Sequence, residues 1–357
     1  MSNYAISYPR RRFTRRVFKT VGNLLVNLLT RTRVTGEENL PSGGPLLLVG
    51  NHIGMLEVVL MIIRNPYVVE MIGAGDIPLA PFINPFVKFY GCIPVQRGSM
   101  DRKAMNMALD VLAQKGVVGL FPEGGIWEPQ LKQVHTGVAW LSSKAQAPIV
   151  PIGFGGAAGA IRDAFLLKRP RLTMNIGHVI PPIDENNGPS RKQALNDGAE
   201  YVMQQVQALI PEDEKARWSA YTGETFTLDV TVTDAHGHGV PVPDHLYVTE
   251  DWALSKFLNR PVILSALSQN LKLPTKALQR LHDNPAPTAA EVAEAAHIAI
   301  DYIEQKNPAF LIYRFGVEQG VGMLKGLKQL RDLARWAAAQ GYSMRVRAER
   351  QSTHTST

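Results

Sequence analysis

Asn51-His52-Ile53-Gly54-Met55-Leu56-Glu57 sets an imidazole and a carboxylate five residues apart, directly after a short apolar run. If the chain turns into a helix there, Glu57 can orient His52. An oriented imidazole titrating near neutrality suits removal of a proton from a hydroxyl. A second stretch, Gly119-Leu120-Phe121-Pro122-Glu123-Gly124-Gly125, offers the Glu123 carboxylate for substrate hydroxyls and backbone at Gly124 that a ligand can approach closely. A third, Gly91-Cys92-Ile93-Pro94-Val95-Gln96-Arg97-Gly98, carries one arginine whose planar fork fits a phosphate. Singly, each has a bland reading: a structural histidine, a strand-ending turn that needs glycine, a solvated arginine.

All three follow short apolar runs. Leu46 to Val49, Val68 to Ile72, Val117 to Phe121, Ile149 to Ile152 and Leu172 to Ile176 read as buried strands, and 58–63, 101–115, 137–146 and 190–210 as helices between or beyond them. Ser190 is a plausible cap for the last helix. Strands alternating with helices predict an α/β sheet with mainly parallel neighbours. In such sheets ligands bind beyond the carboxyl ends of strands, where these three stretches fall.

With 357 residues, about two domains are expected. A hydrophobic share of 45% against 19% charged argues against wholesale disorder. One cysteine, Cys92, excludes an internal disulfide and a Cys-rich zinc site; in an apolar strand it reads as an inert buried thiol. The net charge of +7 sits wholly in residues 1–36, which hold Arg10, Arg11, Arg12, Arg15, Arg16, Lys19, Arg31 and Arg33 and no acid. The body is therefore near neutral and unsuited to wrapping nucleic acid. Asn23 and Asn27 interrupt the apolar run of the arm, so it fits neither a signal peptide nor a spanning helix. At helical spacing Phe13, Val17, Val21, Leu24, Leu25, Leu28 and Leu29 share one face, with Arg12, Arg15, Arg16 and Lys19 opposite. Residues 1–34 thus read either as a helix in a membrane interface, basic side toward anionic headgroups, or as an amphipathic helix packed on the body.

Taken in order, NH-x4-E, GCIPVQRG, FPEGG and Val150-Pro151-Ile152-Gly153 resemble the four blocks of the glycerolipid acyltransferase family, whose best-known members are the 1-acylglycerol-3-phosphate acyltransferases. Thr35-Gly36-Glu37-Glu38-Asn39-Leu40-Pro41 is similar to that family's lead-in, and the resemblance covers about residues 30–211. It implies a glycerol-3-phosphate acyltransferase-like mixed sheet flanked by helices over residues 35–211. It also implies transfer of a fatty acyl group from acyl-CoA or acyl carrier protein to the hydroxyl of a lysophosphatidic acid-like acceptor, without cofactor, metal or covalent intermediate. His52 would be the general base and Glu57 its orienter. Arg97 with Gly98 would hold the acceptor's phosphate, Glu123 with Gly124 would place the acceptor, and Pro151 would shape the acyl-side wall. Acceptors dissolved in a bilayer favour the membrane reading of the arm, hence a peripheral enzyme on the cytoplasmic face with anionic lipids as partner.

Two departures bear on the acceptor. The family's usual acid is Asp where this chain has Glu57, as the related lipid A late acyltransferases do. FPEG usually continues into Thr-Arg or Ser-Arg, whereas Gly125-Ile126-Trp127 follows here, leaving Lys132 or His135 as substitutes for a second cation. The alternatives are O-acylation of a glycosylated lipid or another lysophospholipid, or a catalytically silent lipid-binding protein.

The charged stretch at Glu212 reads as the start of a linker, 212–223. Residues 224–350 are expected to form a second, smaller α/β unit of unassigned role. Strands are expected at 225–233, 309–315 and 343–346, and helices at 289–305, begun by Thr288 and Glu291, and at 323–340. The tail 351–357 reads as disordered. Asp234-Ala235-His236-Gly237-His238 with Asp244-His245 has metal-ligand types, but its Gly and Pro setting reads as a solvated hairpin. Gly153 to Gly159 lacks the spacing and the acid of a dinucleotide loop.

Overall fold

Four apolar residues in a row, Leu46-Leu47-Leu48-Val49, leave neither face of a strand for water, so the strand must be covered on both sides. The computed structural model, which describes residues 5–75, 84–96, 101–123, 135–219, 224–260, 263–265, 267–268 and 276–352, arranges the chain in that way. The first unit ends at Ser219. Its elements run α1 (Arg12–Leu29), β1 (Arg31–Thr35), β2 (Leu46–Gly50), α2 (Leu56–Ile63), β3 (Val69–Ala74), α3 (Asn84–Tyr90), β4 (Ile93–Val95), α4 (Arg102–Ala113), β5 (Val117–Leu120), α5 (Gly137–Ala145), β6 (Ile149–Gly155), α6 (Ala160–Phe165), β7 (Arg171–Ile176), α7 (Arg191–Leu209) and α8 (Glu212–Ser219).

The sheet order is β1-β7-β6-β2-β5-β3-β4, parallel except for the antiparallel β6–β7 pair. It is the mixed α/β sheet the sequence predicts. Leu46 and Leu48 pack with Leu60 to Ile63 of α2 and Val26 of α1 on one face. Leu47 and Val49 pack with α4, α5 and α7 on the other. Ser190 caps α7, its hydroxyl accepting from the Gln193 amide at 3.1 Å.

The ends of the expected arm differ. Helix α1 stops at Leu29, and Arg31–Thr35 is an edge strand paired with Arg171–Asn175. The basic face of α1 also does not turn wholly outward. Arg15 is 3% exposed and forks onto both carboxylate oxygens of Glu70, which is itself fully buried. Arg10 Nε donates to Glu70 Oε2 at 3.1 Å, and Lys19 donates to the Asn65 carbonyl. A charge in the apolar β3 needs partners, and α1 supplies them. The apolar face therefore points away from the body: Phe13 is 81% exposed, Leu24 67% and Leu28 64%. Among the described residues no helix is long and apolar enough to cross a membrane.

The charged stretch expected to begin a linker is the first turn of α8 instead, and Glu214 there accepts from the Gly156 amide at 2.7 Å. The remaining linker residues 220–223 lie outside the described residues.

In the second unit β8 (Glu224–Thr233) and β9 (Ser343–Ser352) form a two-stranded antiparallel ribbon. With it go α9 (Asp251–Leu258), α10 (Lys276–Gln279), α11 (Ala289–Asp301), α12 (Ala309–Phe315) and α13 (Val317–Ala339). Thr288 and Glu291 form the expected capping box. The strand expected at 309–315 is α12, an apolar run too short for periodicity alone to separate strand from helix. The tail loses Gln351 and Ser352 to β9, and 353–357 lie outside the described residues.

Candidate active site

The parallel β2–β5 pairing, with Val49 beside Leu120, brings the residues that follow each strand to one edge of the sheet. His52 leaves β2 there, and Phe121-Pro122-Glu123 leaves β5. The His52 ring stacks on Phe121 with centroids 4.4 Å apart and planes at 20°. The His52 amide donates to Glu123 Oε1 at 3.0 Å, so the glutamate of the second stretch holds the backbone of the first. Asn51, fully buried, fixes the turn from the other side: its Nδ2 donates to the Phe154 carbonyl at 3.1 Å and its Oδ1 accepts from the Phe154 amide at 2.7 Å. Sequence reasoning gave Asn51 no role. The signal was an amide residue directly after a buried strand, where only a neighbouring backbone can satisfy it.

Glu57 sits in the first turn of α2 and is fully buried. Its Oε1 accepts from the amides of Ile53 and Gly54 at 2.6 and 2.7 Å. The methylene that distinguishes it from Asp is taken up by this backward curl. Those two donors are the unsatisfied amides ahead of a helix, and a carboxylate is the acceptor they favour. The second oxygen, Oε2, is buried without a hydrogen-bond partner among the described residues. The expected bond from His52 to Glu57 is thus not among those Glu57 makes; the two groups share one loop instead. Burial pushes the Glu57 carboxyl up to about 8, against the backbone amides of Glu57 itself, Ile53 and Gly54 that favour its charge, and the neighbouring charge of Glu123 adds to the rise. The direction of that shift favours the protonated form of Glu57 near neutrality. Gly54 is required by close approach, because a Cβ there would come within 2.7 Å of the Ala157 carbonyl oxygen.

An apolar groove of about 580 Å³ has Met55 and Leu56 of this loop among its lining residues, but neither His52 nor Glu57. Its walls are Val17, Val21 and Leu25 of α1, Val59 and Ile62 of α2, Phe89 of α3 and Phe165 of α6. Cys92 also lines it, and burial pushes its thiol up to about 11, so it is no nucleophile at neutral pH. A second cavity, of about 570 Å³ around Asn23, Arg64 and Asn65, holds none of the candidate residues.

Pro151 lies beside Val49 in β6, but its ring meets the position of Gly177 on the face covered by α7, and it is not among the residues lining the groove. Arg97, Gly98, Gly124 and Lys132 lie outside the described residues. His135 donates its amide to the Pro122 carbonyl at 3.3 Å, beside the Glu123 turn, and burial lowers its pKa. In the second unit Asp234 accepts from the amides of His236 and His238 at 2.8 and 2.9 Å, closing a hairpin. Among the described residues no three His, Cys, Asp or Glu side chains are grouped to hold a metal ion.

Residues 31–155, which contain both strand ends, match the model of the Acyltransferase family. Over those residues the chain carries an acyltransferase-family domain, and the relatives it resembles support the glycerolipid acyltransferase family. The acyltransferase domain is similar to the 1-acyl-sn-glycerol-3-phosphate acyltransferase of Bacillus subtilis (strain 168), 22% identical over 187 residues, which are 52% of this chain and 92% of that protein. It is also similar to a protein of the same name from Borreliella burgdorferi, 29% identical over 93 residues, 26% of this chain and 37% of the relative. Among solved structures it is similar to the 1-acyl-sn-glycerophosphate (LPA) acyltransferase PlsC of Thermotoga maritima. That likeness has a TM-score of 0.43 and 18% identity, over 60% of this chain and 86% of that one. The 22% match spans about half of this chain.

Proposed function

We propose that the domain moves a fatty acyl group from acyl-CoA or acyl carrier protein to the hydroxyl of a lysophosphatidic acid-like acceptor, as part of phospholipid biosynthesis. The observation that carries this reading is the loop from His52 to Glu57: a histidine and a fully buried carboxyl on one turn, whose Met55 and Leu56 line an apolar groove. His52 takes the acceptor's hydroxyl proton as the oxygen attacks the thioester carbonyl carbon. The tetrahedral adduct then collapses, the carbon–sulfur bond breaks, and the leaving thiolate recovers that proton from the imidazolium. While His52 is charged, an opposite charge favours the Glu57 carboxylate; the proton Glu57 sheds passes to water and is taken back once the leaving thiolate has discharged the ring. Until then the unpartnered Oε2 of Glu57 is the acceptor that orients the ring. The groove takes the acyl chain, and Arg97 with Gly98 holds the acceptor's phosphate while Glu123 with Gly124 places the acceptor.

The exposed apolar stripe of α1 supports peripheral contact with an anionic membrane, at the cytoplasmic face where acyl thioesters are available. Purified protein is to be given labelled acyl-CoA or acyl carrier protein with lysophosphatidic acid, other lysophospholipids and glycosylated lipids. Transfer to lysophosphatidic acid that His52→Ala abolishes is the expected result. Transfer only to a glycosylated lipid would move the acceptor. Equal inertness of both proteins on every acceptor, with vesicle binding retained, would make the chain a silent lipid-binding protein.

A further inference from the structure

We propose that the turn joining α6 to β7 is a second bilayer contact, seating the rim of the apolar groove on an anionic lipid surface together with α1. The inference rests on the reading of the domain as one that acts on lipids. Three consecutive large apolar residues stand in solvent there: Phe165 at 76%, Leu166 at 54% and Leu167 at 72% exposure. They are held rather than frayed. The Leu167 amide donates to the Ala164 carbonyl and the Lys168 amide to the Asp163 carbonyl, both at 2.9 Å. Leu167 and Arg169 both occupy the left-handed region, at φ +56° and +49°. A leucine seldom adopts that backbone, and a strained turn that holds an apolar side chain outward points to a use for the side chain.

The turn is tied to α1. Arg169 Nη2 donates to the Asn27 carbonyl at 3.2 Å, and the Arg31 amide donates to the Pro170 carbonyl at 2.9 Å. Phe165 of the turn and Val17, Val21 and Leu25 of α1 line opposite parts of the same groove. Around the apolar tip stand exposed cations: Arg162, Lys168, Arg169, Arg171 and Arg31. The acid on α6, Asp163, is paired with Lys168 at 3.3 Å. An apolar centre with a cationic rim is complementary to a bilayer bearing anionic headgroups. A lipid acceptor would then pass from the membrane into the groove between two contacts without crossing water.

The test uses the full-length chain and flotation with phosphatidylcholine vesicles, with and without phosphatidylglycerol. Leu166 and Leu167 do not line the groove, so Leu166→Asp/Leu167→Asp spares it. That variant is expected to partition at least ~10-fold more weakly, with unchanged melting and unchanged transfer to a monomeric short-chain acceptor. Arg162→Glu/Lys168→Glu is expected to lose binding only where phosphatidylglycerol is present. Leu24→Asp/Leu28→Asp on α1 is the reference. If it releases the protein while the turn variants float like wild type, the inference is wrong and α1 alone is the contact. If the turn variants instead dissolve a wild-type dimer and leave vesicle binding unchanged, the surface joins two chains and the inference is equally wrong. Failure of the wild-type chain to transfer any acyl group, with flotation still dependent on Leu166 and Leu167, would overturn the enzyme reading and support this one.

Discussion

Glu57 and Glu70 are both fully buried in the first unit, one at the start of α2 and one in β3, but they are surrounded differently. Glu70 has two guanidinium groups, from Arg10 and Arg15, that saturate its oxygens and tie α1 to the sheet. Glu57 has two backbone amides on one oxygen and no hydrogen-bond partner on the other among the described residues, and its carboxyl is pushed up to about 8. Equal burial thus has two outcomes. A carboxylate given cations becomes a fastener; one denied them keeps its proton and can give it up when a charge appears nearby. That contrast separates a structural ion pair from a group poised for chemistry.

The strongest way to break the contrast is through the partner of the poised group. His52→Ala is expected to lower acyl transfer ~1000-fold, the range of an absent general base, with little change in stability because the ring is only half-buried. Initial rates and a thermal melt on the same preparation check both halves. Retained activity would reduce Glu57 to a helix cap.

Next comes the fastener. Glu70→Ala leaves the buried Arg15 without its carboxylate, and breaking such a pair is expected to cost about 3–5 kcal/mol in urea unfolding. Proteolysis should then cut first near α1. An unchanged unfolding midpoint would mean α1 is held by its apolar contacts alone.

Glu57→Gln should do the reverse, stabilising the fold while harming the reaction. Gln keeps an oxygen for the Ile53 and Gly54 amides but cannot ionise. The unfolded carboxyl titrates near 4.5 and the folded one at about 8, so between these values the folded chain binds the extra proton. Wild-type stability therefore falls as pH rises through that window, by up to ~1.4 kcal/mol per pH unit, and levels off above it. The variant should lack this slope, match wild type near pH 4.5 and exceed it at pH 8, while kcat drops ~100-fold. Parallel stability curves for the two proteins would remove the difference between the glutamates.

The smallest expected effect lies on the outer face of α1. Leu24 is 67% exposed, so Leu24→Asp should leave melting unchanged and weaken binding to anionic vesicles ~10-fold. Sedimentation with vesicles measures it.

The sheet was legible because its strands are apolar runs ended by turn residues, and the meeting of His52 with Glu123 follows from β2 and β5 being parallel neighbours. The orientation of α1 was not. Periodicity says which residues share a face but not which face turns inward, and Glu70, a lone acid in Val69-Glu70-Met71-Ile72, was the unread sign that cations must come to it. Edge strand β1 escaped because Arg31 and Arg33 read as a continuation of the basic arm. The strand expected at 309–315 became α12 because a short stretch with six apolar residues around Arg314 satisfies either period. That His52 and Glu57 share one loop was legible from spacing, whereas the Glu57 bonds to Ile53 and Gly54 depend on a side-chain curl that spacing does not encode.

The central claim is that Glu57 is protonated at neutral pH in the loop that carries His52. Infrared difference spectra, wild type minus Glu57→Gln, followed across pH, test it most directly. A protonated carboxyl band that persists through neutrality and titrates at about 8 is the result expected. A band already lost by about pH 5, the ordinary range of a glutamate, would contradict it.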